Sequence, residues 1–254
     1  MKRLKTKIVS LFCVACLVIP SMPVMAANPV TSVKIGSATL NETNKYYHNG
    51  VNGEQGVADT NADGANAEFD AATGTLTLKG LNIKNTDSNY RGIFWEYSYT
   101  GNDDLVIVLE SGSTNSVTNT SGTGINGNEG FDDGPSLTIK GNGTLNVNAS
   151  GSGIWVWENI TIQEDVVLNV TSTGAMGIAN NSHGGKITIK DNAKVTTTGD
   201  TYGIGCSNYI YETDNSIIVD GGSITSSGGT AAFFLEPDLS SYAAFTMNVG
   251  DTAP

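Results

Sequence analysis

Two stretches of this chain carry side chains whose types and spacing suit chemistry. The first is DTNADGANAEFD, residues 59 to 70. It puts Asp59, Asn61, Asp63, Gly64 and Asp70 at positions 1, 3, 5, 6 and 12 of an oxygen-ligand calcium loop. A hard cation needs several oxygens converging in a tight turn, and the glycine lets the backbone make it. Asp stands where that loop carries a bidentate Glu, and no helical pattern flanks it. The expectation is a Ca2+ ion held by Asp59, Asn61, Asp63 and Asp70. The plainer reading is an acidic surface loop in which Asp70 caps the turn DAATG.

The second stretch is aromatic and recurs. Phe94, Trp95, Tyr97 and Tyr99 follow one Gly-Ile pair, Trp155 and Trp157 follow another, and Tyr209 and Tyr211 follow a third. If Ile93, Ile154, Ile178 and Ile204 point inward, then Phe94, Trp155, Ala179 and Gly205 share one outward column. Trp155 then borders small neighbours, a ring-sized shelf on which a pyranose stacks its C–H face while carboxylates and amides take its hydroxyls. The candidate carbohydrate-binding residues are Trp155, Trp157, Phe94, Tyr97 and Glu158. The alternative is that these rings cover the lateral loops as a satellite core; Trp95 has inward parity.

A third alignment places Thr77, Thr138, Thr161 and Thr188 outward, with Lys79, Lys140, Gln163 and Lys190 two residues further on. Such lysines pair with uronic-acid carboxylates or, more ordinarily, keep a sheet face soluble. Catalytic sets are harder to find. A lyase needs a base beside an acidic C–H and a cation clamping the carboxylate. Beyond the leader the chain offers one arginine, Arg91, and the histidines His48 and His183, none within a carboxylate cluster. A hydrolase wants paired acids on adjacent coils; Asp132 and Asp133 with Glu158 or Asp165 form such a pairing, but nothing else in the sequence supports it. No catalytic residue is assigned.

The elements that position these groups follow from a repeat. Leu137-Thr138-Ile139, Leu145-Asn146-Val147 and Gly153-Ile154 form its clearest copy, followed by copies at Ile160 and Ile187. Looser copies begin at Leu76, Leu105, Ile217 and Phe245, so the spacings are 29, 32, 23, 27, 30 and 28 residues. Each copy holds three short runs alternating in-out-in, the period of a strand, separated by Gly, Asn, Asp and Ser. Units of this length bury their apolar residues only by stacking. The expected fold is all-β: a right-handed parallel β-helix, or β-solenoid, with three short strands per coil. It spans residues 74–254 in about six coils, the last incomplete. A small N-terminal β cap with the acidic loop precedes it over residues 27–73.

Residues 1–26 read as a signal peptide. Lys2, Arg3, Lys5 and Lys7 precede an apolar run from Ile8 to Ile19, and Val24-Met25-Ala26 offers a cleavage site. Removing it leaves 9 Lys and Arg against 25 Asp and Glu, a net of −16. That acidity speaks against nucleic acid, whose phosphates need Lys and Arg. No integral membrane span is expected after cleavage. Cys206, the one cysteine left, reads as a small buried hydrophobe.

The strings FDAATGTLTLKGLNI, LTIKGNGTLNVNASGSGI and KITIKDNAKVTTTGDTYGI resemble the secreted, clostridial-type carbohydrate-binding, lyase-like parallel β-helix family. The likeness covers residues 69 to 254 and rests on the coil pattern. It implies polysaccharide binding, bound calcium and secretion. The expected function is thus a secreted or cell-surface protein that recognises a polysaccharide, a host or microbial glycan, through lateral aromatic residues. The alternatives are a surface adhesin or spacer without glycan binding, and a polysaccharide lyase. Further domains, or end-to-end self-association at the open last coil, are the other expected partners.

Overall fold

The computed structural model describes residues 28–96, 103–127, 134–181, 185–206, 215–235 and 248–249. Among them the only helical element is a three-residue 3-10 turn, Val51–Gly53. The rest is strand and turn, wound as a β-solenoid of about five turns. Tyr97, Tyr99, Asp132, Asp133, His183, Tyr209, Tyr211, Phe245 and the leader lie outside the described residues.

Three parallel sheets form the walls. The first stacks Thr75–Leu78, Asp103–Leu109, Leu137–Gly141, Ile160–Ile162, Lys186–Lys190, Ser216–Asp220 and Asn248–Val249. The second stacks Asn82–Asn85, Thr114–Asn119, Thr144–Ala149, Val167–Ser172, Lys194–Gly199 and Ser223–Gly228. The third stacks Ile93–Trp95, Ile125–Gly127, Ile154–Val156, Ile178–Asn180, Tyr202–Cys206 and Ala231–Leu235. Alternation forces one residue of each pair inward, and parallel register then sets like on like. Leu145 pairs with Leu168 and Leu168 with Val195, giving a single internal stack in which no member exceeds 2% exposure.

The Gly-Ile pair of each coil has a packing reason. A Cβ on Gly124, Gly153 or Gly177 would overlap the side chain of Val147, Val170 or Thr197, respectively, and crowd the carbonyl of the next coil's glycine. Only glycine lets the chain turn the third corner at that proximity.

Polar side chains close the other corners from inside. Asn115, fully buried, accepts from the amides of Gly80 and Leu81 through Oδ1 and donates to the Thr144 carbonyl through Nδ2. Asn85 and Asn119 stack directly, and both donate to the Tyr90 carbonyl. A backbone that turns this often buries amides and carbonyls with no ladder partner, and these side chains satisfy them.

An antiparallel cap closes the first coil. Ser32–Ile35 pairs with Ala38–Asn41 and lies antiparallel on Ile93–Trp95. Val57–Asp59, Tyr46–His48 and Ala67–Asp70 continue the first sheet through Thr75–Leu78. The second sheet's edge is met by side chains instead: Asn49 Oδ1 accepts from the Asn82 amide, and Gln55 Nε2 donates to Asn85 Oδ1 at 2.6 Å. Covering an edge in this way removes a template for strand addition.

One expected alignment is shifted. Thr77 pairs with Val108, and Val108 with Lys140, while Thr75 stands in the column of Val106, Thr138, Thr161 and Thr188. The first coil is therefore two residues out of the expected register. A slip of two preserves every in-out assignment, so hydrophobic parity alone does not detect it.

Candidate functional site

The third sheet carries the site on its outer face. Its central column runs Phe94, Asn126, Trp155, Ala179, Gly205 and Phe234, each paired with the next. The cap's Lys34 stands opposite Phe94 at the other end. The expected column of Phe94, Trp155, Ala179 and Gly205 is thus in register, with Asn126 between the two rings.

The open space lies on the Phe94 side of Trp155. A cleft of about 320 Å3 is lined by Phe94, Trp155, Asn126, Tyr90, Arg91 and the cap residue Lys34, with Gly36, Asn89 and Glu96 at its margin. The shelf expected over Ala179 and Gly205 is covered: Ala179 is buried, and a Cβ on Gly205 would lie 3.1 Å from Met176 Sδ and 3.2 Å from Phe234 Cβ. Phe234 in turn stacks on Tyr202, ring centroids 4.3 Å apart.

Each wall is held differently. Asn126, 5% exposed, donates through Nδ2 to the carbonyls of Trp155 at 3.1 Å and Gly127 at 3.2 Å. That fixes a short polar floor between two half-buried rings. Lys34 Nζ sits 5.5 Å from the Phe94 ring centroid and 3.1 Å from Glu96 Oε1. Its charge is therefore partly answered. Arg91 is half-buried and has no hydrogen-bond or ion-pair partner among the described residues. Arg91, the one arginine beyond the leader, lines this aromatic cleft with its guanidinium unpaired among the described residues.

Trp157 does not join this site. It is 6% exposed, and its ring packs where a Cβ on Gly134 would be. Glu158, half-buried, follows it away from the cleft; its amide donates to the Pro135 carbonyl and its carbonyl accepts from Asn180. Trp95 is buried, donating Nε1–H to the Asp103 carbonyl at 3.0 Å. Sequence reading missed Lys34, which lies in the non-repeating cap, and Asn126, which counting coils from Phe94 to Trp155 would have found.

The four expected calcium ligands lie at the ends of Val57–Asp59 and Ala67–Asp70 and in the loop between them. Asn61 N donates to Asp59 Oδ1 and Asp63 N to Asn61 Oδ1, a chain of Asx turns. Asp59 also meets His48 Nε2 at 3.3 Å. Asp70 caps its own turn, accepting from Ala72 N and Thr73 Oγ1. Strand Tyr46–His48 separates the strands of Asp59 and Asp70, a gap of about 9.6 Å at two strand spacings. No group of three or more His, Cys, Asp or Glu suited to a metal occurs among the described residues.

No protein-family model, no curated protein and no solved structure matches the chain. No helix among the described residues is long and apolar enough to cross a membrane.

Proposed function

We propose that this chain is a secreted glycan-binding protein whose Phe94–Trp155 cleft holds a sugar ring bearing a carboxylate. The observation that carries this reading is Arg91, without a partner among the described residues, lining a cleft walled by two aromatic rings. Two coil steps separate Phe94 from Trp155, about 9.6 Å at the usual strand spacing. A ring inserted between them needs two contacts of about 3.5–4.0 Å, which that gap supplies. Asn126 supplies polar groups at the floor, and Arg91 offers a planar fork that matches a carboxylate bidentately. The leader-like first 26 residues support export, where free polysaccharide is met. The reading needs no cation.

A glycan array probed with the mature protein tests it. Signal concentrated on glycans containing uronic or sialic acids is the expected result, lost on F94A/W155A. An array with no signal leaves the solenoid as a spacer or adhesin. Release of unsaturated uronides from a bound polymer would instead make the protein a lyase.

A further inference from the structure

The second sheet's outer face differs in chemistry from the first. The first sheet points Asp104, Lys140, Lys190 and Asp220 to solvent, the usual means of keeping a face soluble. The second sheet runs two outward columns in strict register: Ser116–Asn146–Asn169–Thr196–Thr225 and Thr118–Asn148–Thr171–Thr198–Ser227. The one charge in either column is Lys84, which pairs with Thr118 at the head of the second; the five coils after it are uncharged in both columns. A trough of about 240 Å3 runs along the second column. Thr118, Asn148 and Thr171 form one wall and Thr120, Ser150 and Thr173 the other, over a floor of Asn119 and Ala149.

The two walls are not equivalent. Thr120 and Thr173 bond back to the carbonyls of Asn85 and Ala149. The side chains of Thr118, Asn148 and Thr171 make no hydrogen bond among the described residues. They stand one above another at the coil repeat of about 4.8 Å, each offering a donor and an acceptor. Hydroxyls and amides at that interval, without charge, match a polymer of hydroxyl-bearing units whose rise per unit is similar. An extended pyranose chain has that rise.

We infer that this trough is a second binding site, for an uncharged extended polysaccharide chain lying parallel to the solenoid axis with one sugar against each coil. It stands independently of the Arg91 cleft. Charge separates the two sites: Arg91 selects a carboxylate, whereas no residue lining the trough carries a charge.

Affinity electrophoresis in gels containing hydroxyethylcellulose, xyloglucan or mannan tests this, with melting curves to show that each variant folds. The trough side chains Asn148 and Thr171 are exposed, so N148R/T171R should fold while filling the trough. The expected result is retardation of the wild type by at least one neutral polymer. N148R/T171R should lose at least tenfold in affinity, and F94A/W155A should lose none. With oligosaccharides of that polymer, affinity should rise up to three sugars and then level, one for each of the three coils lining the trough. Mobility unchanged by every neutral polymer overturns the inference. So does retardation that survives N148R/T171R but disappears in F94A/W155A, which would assign neutral chains to the cleft.

Discussion

Asn126 reaches across one coil to donate its side-chain amide to the carbonyl of Trp155, at 3.1 Å. This bond ties the floor of the cleft to one wall and keeps a short residue between Phe94 and Trp155. Asn126→Ala frees that carbonyl and removes the polar floor. A hydrogen bond of this kind contributes about 0.5–1.5 kcal/mol, so sugar affinity should fall by roughly two- to tenfold. Asn126→Trp should do more: it fills the slot and abolishes binding with the fold intact. Calorimetric titration of both variants checks this.

Arg91 should be the charge that selects the ligand. A charge-assisted hydrogen bond is worth about 1.5–3 kcal/mol, so R91A should weaken an acidic sugar by roughly 10- to 150-fold and leave neutral sugars unaffected. R91K should recover only part, because an ammonium lacks the planar fork. Raising the salt concentration should weaken the wild type and scarcely change R91A.

The solenoid should fail as a stack. Leu168 lies fully buried between Leu145 and Val195. Leu168→Ala should cost about 2–5 kcal/mol, the loss of transfer energy plus a cavity, read as a lower denaturant midpoint. Trp155→Ala, at a half-buried outer position, should cost much less. Equal losses would mean that Trp155 serves packing.

Alkali should loosen the fold. Burial pushes the Cys206 thiol up to about 12 from 9.0, opposed by a weaker backbone hydrogen bond from Ile187. Tyr47 is also raised, chiefly by burial and against a hydrogen bond from the Gly56 amide. A raised folded pKa stabilises while the group is protonated. The Cys206 contribution is complete below about pH 9 and is lost as pH climbs toward 12. Melting temperature should therefore decline over that window. C206A should flatten part of the decline, and thiol reagents should label Cys206 only on unfolding.

Chelation should change nothing. Asp59 and Asp70 are already occupied by backbone amides, His48 and Thr73. EDTA should leave both the melting temperature and glycan binding where they were. A drop of several degrees would show that the Asp59–Asp63 loop rearranges around an ion.

The repeat was legible because each coil states it three times. Leu137, Ile139, Leu145, Val147, Ile154 and Val156 were expected inward, and all six are buried. Parity located the column of Phe94, Trp155, Ala179 and Gly205 as well. It did not reveal which part of the column is open, since that depends on Met176 and Phe234 folding over Gly205. Nor did it place Trp157, which leaves the strand after Val156 and turns beneath Gly134. Asn85, Asn115 and Asn119 occupy inward positions where an aliphatic was the natural expectation; their partners are corner carbonyls and amides that no local pattern announces. The acidic loop matched a ligand spacing, but a strand runs between its first and last members.

Isothermal titration of the mature protein with oligosaccharides containing uronic or sialic acids, beside F94A/W155A, addresses the cleft most directly. Saturable one-to-one binding by the wild type, absent from the folded double variant, is the result these contacts predict. Equal heats from both proteins, or none from either, would contradict a sugar held between Phe94 and Trp155.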